Sequence, residues 1–234
     1  MTKTILITGA SSGIGAAATL ALADSGHRLI LAARSKAKLE ILANRARERG
    51  SEAQVFPIDL ANLAEIDALA SSLKGEGSYP VLINAAGTAS FAEFADLSWA
   101  DLETQHKINF LAPARLIQAA LPIMLAKGGG QIVNVLSMVC VNVMPFGGGY
   151  STSKAALQML GKIVSAEYRQ KGIKVTNLMP GAVDTPLWDG TPMESRKPEM
   201  IPAEEVANLI AQLVRNPHSF NLDEILMMPS TGVL

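Results

Sequence analysis

The sequence predicts an α/β protein: a doubly wound, seven-stranded parallel sheet with helices on both faces. Three observations predict it. Short β-rich apolar runs alternate with stretches whose apolar residues recur at three- and four-residue spacing. The strand candidates are apolar on successive residues, as strands buried on both faces are. The first strand runs into a glycine-rich turn that opens a helix.

In chain order the expected strands are Thr4 to Ile7, Arg28 to Ala32, Ala53 to Pro57, Val81 to Ile83, Gln131 to Leu136, Lys174 to Leu178 and Ile225 to Met228. Between them Ile14 to Ser25, Lys36 to Arg49, Leu63 to Leu73, Trp99 to Ala126, Ser151 to Lys171 and Ala203 to Arg215 read as helices. Gly26, Gly50 and Gly172 follow helical patterns as left-handed caps. Pro113 lacks an N–H and predicts a kink or two consecutive helices in the fourth stretch. The stretch from Pro186 to Pro202 is the least regular, with four prolines, and reads as a mobile loop.

A length of 234 residues suits one domain spanning 1–234, large enough for a core without metal or disulfide staples. Cys140 is the only cysteine, which suits a reducing compartment. With 20 Lys+Arg against 21 Asp+Glu, no pull toward nucleic acid is expected. Arg34, Arg115 and Lys127 interrupt or flank the apolar runs, so no membrane partner is expected, and the opening residues lack a secretory pattern. The expected location is cytoplasmic. His27, His106 and His218 show no ligand spacing, and no metal is expected.

The turn Thr8-Gly9-Ala10-Ser11-Ser12-Gly13-Ile14-Gly15 departs from the G-x-G-x-x-G spacing but serves the same purpose. Residues without Cβ let the backbone approach a pyrophosphate, whose charge meets free N–H groups at the helix N-terminus. An acidic residue at the end of the second strand would hold the ribose 2′-OH of NAD. Ala33 and Arg34 stand there instead, so a 2′-phosphate meets a guanidinium rather than a carboxylate; Ser12 and Ser35 are further donors. NADP(H) is the expected cofactor.

Tyr150 and Lys154 lie four apart at the start of a helical stretch, on one face. A neighbouring ammonium favours the phenolate and is expected to lower the tyrosine pKa, making Tyr150 a general acid-base. Ser137, just beyond the fifth strand, is placed to donate to the same substrate oxygen. Cys140 reads as a small buried hydrophobe rather than a nucleophile. Gly147 to Gly149 are read as open to a bulky substrate or as plain loop geometry.

Taken together, the Thr8 to Gly15 turn, Asn84-Ala85-Ala86-Gly87, Asn109, Ser137, Tyr150 with Lys154, and Pro180-Gly181 followed by Thr185 resemble the short-chain dehydrogenase/reductase family over about Thr4 to Thr185. The resemblance implies a Rossmann-type fold in which Asp59 and Leu60 lie at the adenine and Asn84 to Gly87 border its ribose. Pro180, Gly181, Val183 and Thr185 would fix the nicotinamide carboxamide. Tyr150 would transfer the proton, Lys154 would bind the nicotinamide ribose, Ser137 would orient the carbonyl, and Asn109 would hold a water linking Lys154 to solvent. The family's usual dimer contact runs along Trp99 to Ala126 and Ser151 to Lys171, so a homodimer or homotetramer is implied.

The expected reaction is reversible NADPH-dependent reduction of a ketone or aldehyde. Ser137, Val139, Met144, Leu187 and Trp188, with Val143, Phe146, Met193 and Met200 nearby, suggest a small apolar or aromatic carbonyl substrate selected by a loop at 185–202. The alternatives are a 3-oxoacyl thioester or a sepiapterin-like pteridine substrate, or a noncatalytic NADP-binding sensor.

Overall fold

A computed structural model describes residues 2–23, 26–74, 79–215 and 220–233; Ser25 and His218 lie outside it. The strands are β1 (Lys3–Thr8), β2 (Arg28–Ala33), β3 (Glu52–Pro57), β4 (Tyr79–Asn84), β5 (Gly130–Val135), β6 (Ile173–Pro180), the short β7 (Val183–Asp184) and β8 (Ile201–Pro202), and β9 (Glu224–Met227). The α-helices are α1 (Gly13–Leu22), α2 (Lys36–Glu48), α3 (Ile66–Ser71), α4 (Trp99–His106), α5 (Ala112–Ala126), α6 (Gly148–Tyr168) and α7 (Ala203–Arg215).

The main sheet has the order β3-β2-β1-β4-β5-β6-β9, and every pairing in it is parallel. The successive apolar residues explain the two-sided burial. Ile5, Ile7, Leu29, Leu31, Val81 and Ile83 face α1, α2 and α7. Leu6, Ile30 and Leu82 face α3, α5 and α6. Each such buried aliphatic contributes about 1.5–3 kcal/mol relative to exposure.

From β1 the chain winds outward to β3, then returns to β4 on the opposite side of β1. The strand order reverses there, and a crevice opens beyond the carboxyl ends of β1 and β4. A polar row crosses the sheet just below it: Thr8, Asn84, Asn134, Asn177 and Glu224 are register partners. The Asn84 Nδ2 donates to Asn134 Oδ1 at 2.9 Å, and Asn134 Nδ2 donates to Asn177 Oδ1 at 3.0 Å. These buried amides bond to one another across three strands and hold the strand ends level, while Asn84 Oδ1 has no partner among the described residues.

The fourth helical stretch is continuous from Trp99 to Ala126, with a wide π segment at Lys107–Leu111 between α4 and α5. Pro113 sits in the first turn of α5, where a missing N–H costs little. Among the described residues this is the one helical stretch long and apolar enough to cross a membrane by composition. Here it packs Leu116, Ile117, Ala120 and Met124 into the core. The stretch expected as a mobile loop is tied at its base, because β7 and β8 pair Val183 with Ile201 and Asp184 with Pro202. Lys197 bridges Asp184 and Asp189 across it.

Candidate active site

The crevice is an open cleft of about 1390 Å³. Its floor is the turn after β1. Gly9 has a φ of +68°, and a Cβ there would lie 2.7 Å from the Ala86 Cα. Gly15 is pressed against the Gly9 carbonyl, where a Cβ would approach to 2.4 Å. The two glycines therefore pack the turn against the segment after β4. Thr8 Oγ1 fastens that segment by accepting from the Ala85 and Ala86 N–H groups at 3.1 and 3.2 Å.

Ser12 caps α1 with extended backbone but leaves its hydroxyl off the helix N–H groups, and the first turn carries no acidic residue. Free N–H groups and the positive end of the dipole thus face the cleft, which suits a phosphate. Arg34 is exposed on the same wall. Gly9, Ser11, Ser12, Gly13, Ile14, Arg34, Asp59, Leu60, Ala85, Ala86, Gly87, Tyr150, Lys154 and Thr185 all line the cleft. Ile58, Thr88, Thr104, Ile108, Val135 and Leu136 line it too. The sequence reading missed these six.

Several expected lining residues do other work. Asn84 belongs to the cross-sheet amide row. Gly15 makes room for the turn, and the Ser35 hydroxyl caps α2 by accepting from the Lys38 N–H at 3.4 Å. Asp59 lines the cleft but also accepts from the Ala61 N–H at 3.0 Å, closing a local turn.

Tyr150 sits in the first turn of α6, which begins at Gly148 rather than Ser151. The three glycines before it are packing contacts, not an opening for substrate. A Cβ at Gly148 would meet Phe94 at 2.9 Å, and one at Gly149 would meet Gln105 at 2.7 Å. One turn on, Lys154 is buried with its Nζ 2.8 Å from the Val135 carbonyl and 5.8 Å from the centre of the Tyr150 ring. The Ser137 hydroxyl lies near enough to the Tyr150 phenol to favour its ionised form, and it accepts from the Val139 N–H at 3.4 Å.

Burial overturns the expected tyrosine titration. Desolvation pushes Tyr150 up to about 12, with the Ser137 hydrogen bond opposing it, and lowers Lys154 to about 8. Both shifts disfavour the charged form, because the surrounding protein takes away hydration that the charge needs. Tyr150 is therefore a protonated acid at neutral pH. Burial also raises the Cys140 thiol, which keeps it protonated and weakly nucleophilic.

The Asn109 carboxamide is spent within the protein. Its Oδ1 accepts from the Thr88 N–H at 2.9 Å, while Nδ2 donates to the Thr88 carbonyl and to Ser153 Oγ. It faces Gly87, at which a Cβ would lie 3.5 Å from Asn109 Oδ1 and 3.4 Å from Lys154 Nζ.

Beside the cleft a second cavity shares Tyr150 with it. Ser137, Val139, Met144, Leu187 and Trp188 line it, as do Pro180, Gly181, Val183 and Thr185. Pro180, Gly181 and Val183 thus face this cavity rather than the cleft. Met138, Met193, Met228 and Val233 complete the wall, and no charged residue is among the described lining residues. Met228 and Val233 lie beyond the last strand, where no motif marked them. Val143 and Phe146 instead face solvent, at 95% and 57% exposure, and Met200 is buried in the core.

Residues 3–195 match the short chain dehydrogenase family. The chain belongs to that family. An uncharacterized oxidoreductase of Staphylococcus haemolyticus is 32% identical to it over 228 residues, covering 97% of both chains. An alcohol dehydrogenase from the archaeon Thermococcus sibiricus, solved with 5-hydroxy-NADP, superposes with a TM-score of 0.89 at 27% identity, over 98% of this chain and 97% of that one. A short-chain dehydrogenase from Sphingobium yanoikuyae, in complex with NADPH, gives a TM-score of 0.84 at 30% identity over 97% and 88%.

This short chain dehydrogenase thus brings Ser137, Tyr150 and Lys154 together from the ends of β5 and α6, with Asn109 behind them. The three put a phenol, a hydroxyl and an ammonium where the cleft meets an apolar cavity.

Proposed function

We propose that the protein is an NADPH-dependent carbonyl reductase acting on a small apolar ketone or aldehyde. The observation that carries this reading is the position of Tyr150, which lines both the phosphate-suited cleft and the uncharged cavity. Bound NADPH would supply the hydride. The residues suited to hold it are those of the Gly9 to Ile14 turn and the α1 N-terminus for the pyrophosphate, with Arg34 for the 2′-phosphate.

The chain's own groups handle the oxygen and the proton. The Ser137 hydroxyl donates to the substrate oxygen, and Tyr150, held protonated by burial, transfers its proton as alkoxide character develops. The Lys154 ammonium favours that transfer by stabilising the phenolate left behind. A phenol with a pKa near 12 carries its proton throughout the neutral range, so the group rests in the form that the reductive direction consumes. The shortage of polar partners in the cavity favours apolar substrates over a pteridine, whose ring nitrogens would go unpaired. The loop at 185–202 selects among them. Exposed Leu111 in the Trp99–Ala126 stretch, with exposed Met159 and Ile163 on α6, supports a homo-oligomer through these helices.

Tyr150→Phe provides the test. It should lower ketone-dependent NADPH oxidation by about 10²–10⁴-fold, since that is what a positioned acid contributes, while NADPH binding followed by fluorescence stays nearly unchanged. Retained turnover overturns the mechanism.

A further inference from the structure

Phe91 lies in the connection between β4 and α4, outside every motif described above and outside the lining of both cavities. Its ring nonetheless touches both partners of the chemistry. It stacks on Trp188 with centroids 5.8 Å apart and planes 4° from parallel. It also meets Tyr150 edge-on at 6.4 Å and 63°. Both are arrangements that aromatic quadrupoles favour.

Trp188 lines the substrate cavity and Phe91 does not, so Phe91 stands behind the indole as seen from the substrate. The indole is held from a third direction, its Nε1 donating to the Val183 carbonyl at 3.0 Å. Phe91 is itself fixed by backbone. The neighbouring Ala92 N–H donates to the Phe146 carbonyl at 2.9 Å, and Ala92 forms a parallel bridge to Gly147, three residues before Tyr150. Phe146 holds a left-handed φ of 66°, uncommon for a bulky residue, in the turn that presents this carbonyl.

We infer that Phe91 is a positioning residue that holds the Trp188 indole as a fixed planar wall, and that this wall selects carbonyl compounds carrying an aromatic ring next to the carbonyl. The inference rests on the carbonyl reductase reading and narrows its substrate class. A flat ring laid on the cavity face of Trp188 extends the Phe91–Trp188 stack, and no side-chain entropy is lost when the indole is already immobile. A saturated ring of the same size gains the apolar burial without the stacking.

The experiment compares acetophenone with cyclohexyl methyl ketone in a Trp99→Phe background. Trp99 is exposed, and its removal leaves Trp188 as the only indole. The unmutated background should favour acetophenone in KM, and Phe91→Leu should reduce that preference about five- to tenfold by the usual worth of an aromatic pair. NADPH affinity should be unchanged, and Phe91→Tyr should restore the preference. Equal losses for both ketones would make Phe91 merely structural and overturn the inference, as would an unchanged ratio. Quenching of Trp188 emission by each ketone, titrated into the NADP⁺ complex, gives the same comparison without turnover. If neither ketone is reduced yet acetophenone alone quenches and Phe91→Leu abolishes this, the reductase reading fails while the inference stands. If ketones are reduced with no aromatic preference, the reverse holds.

Discussion

The two halves of the site are built differently. The cleft is made largely of backbone: a turn that tolerates only glycine at position 9, helix N–H groups, and strand ends levelled by buried amides. The cavity beside it is made of side chains from remote segments, with Met138 following β5, Trp188 and Met193 in the 185–202 stretch, and Met228 and Val233 after β9. Backbone geometry depends on a few local residues and recognises what all substrates of such an enzyme share. Side-chain walls of methionine and tryptophan adapt, and can differ without disturbing the fold.

If the cleft is backbone-determined, the largest effect should come from Gly9→Ala. A Cβ at φ +68° and 2.7 Å from Ala86 would force the turn off the segment after β4. NADPH affinity should fall about 100-fold, and stability by about 1–3 kcal/mol from backbone strain, read by fluorescence titration and denaturant melts. A silent substitution would break the contrast.

Arg34→Ala comes next. Losing one charge-assisted contact should weaken NADPH binding about 20-fold and leave NADH unaffected. Comparable losses for both cofactors would remove Arg34 from 2′-phosphate recognition.

Lys154 joins the two halves, and its titration gives the third effect. With its pKa lowered to about 8, the lysine is charged below that pH and neutral above it. Reductive kcat/KM should therefore fall about tenfold from pH 7 to pH 9, as the protonated fraction falls from about nine tenths to one tenth. A profile flat across pH 8 would show that the ammonium does not assist.

The smallest expected effect is that of Met228→Ala, which trims one flexible wall of the cavity. It should change KM for apolar ketones two- to fivefold, about the worth of one buried methylene, and leave NADPH affinity alone. A cofactor effect from this tail residue would erase the separation between cleft and cavity.

What the sequence determined by itself follows the same division. The seven main strands and their parallel pairing were legible because two-sided burial demands successive apolar residues, and the glycine turn because close backbone approach demands residues without side chains. Tyr150 and Lys154 were legible as a pair because helical spacing is local. The sequence also placed Ser12 and Arg34 at the cleft, whereas the turn of Pro180, Gly181 and Val183 toward the adjoining cavity depends on how β6 meets the tail.

Only the tertiary structure decided the rest. It raised the tyrosine pKa where spacing alone predicts a lowered one, because desolvation depends on packing density that no spacing reveals. It spent the Asn109 carboxamide on Thr88 and Ser153. It also placed Phe91 behind Trp188, although 97 residues separate them in the chain. Motifs record what the backbone must do locally; contacts between distant side chains have no such local requirement, and so they leave no pattern to read.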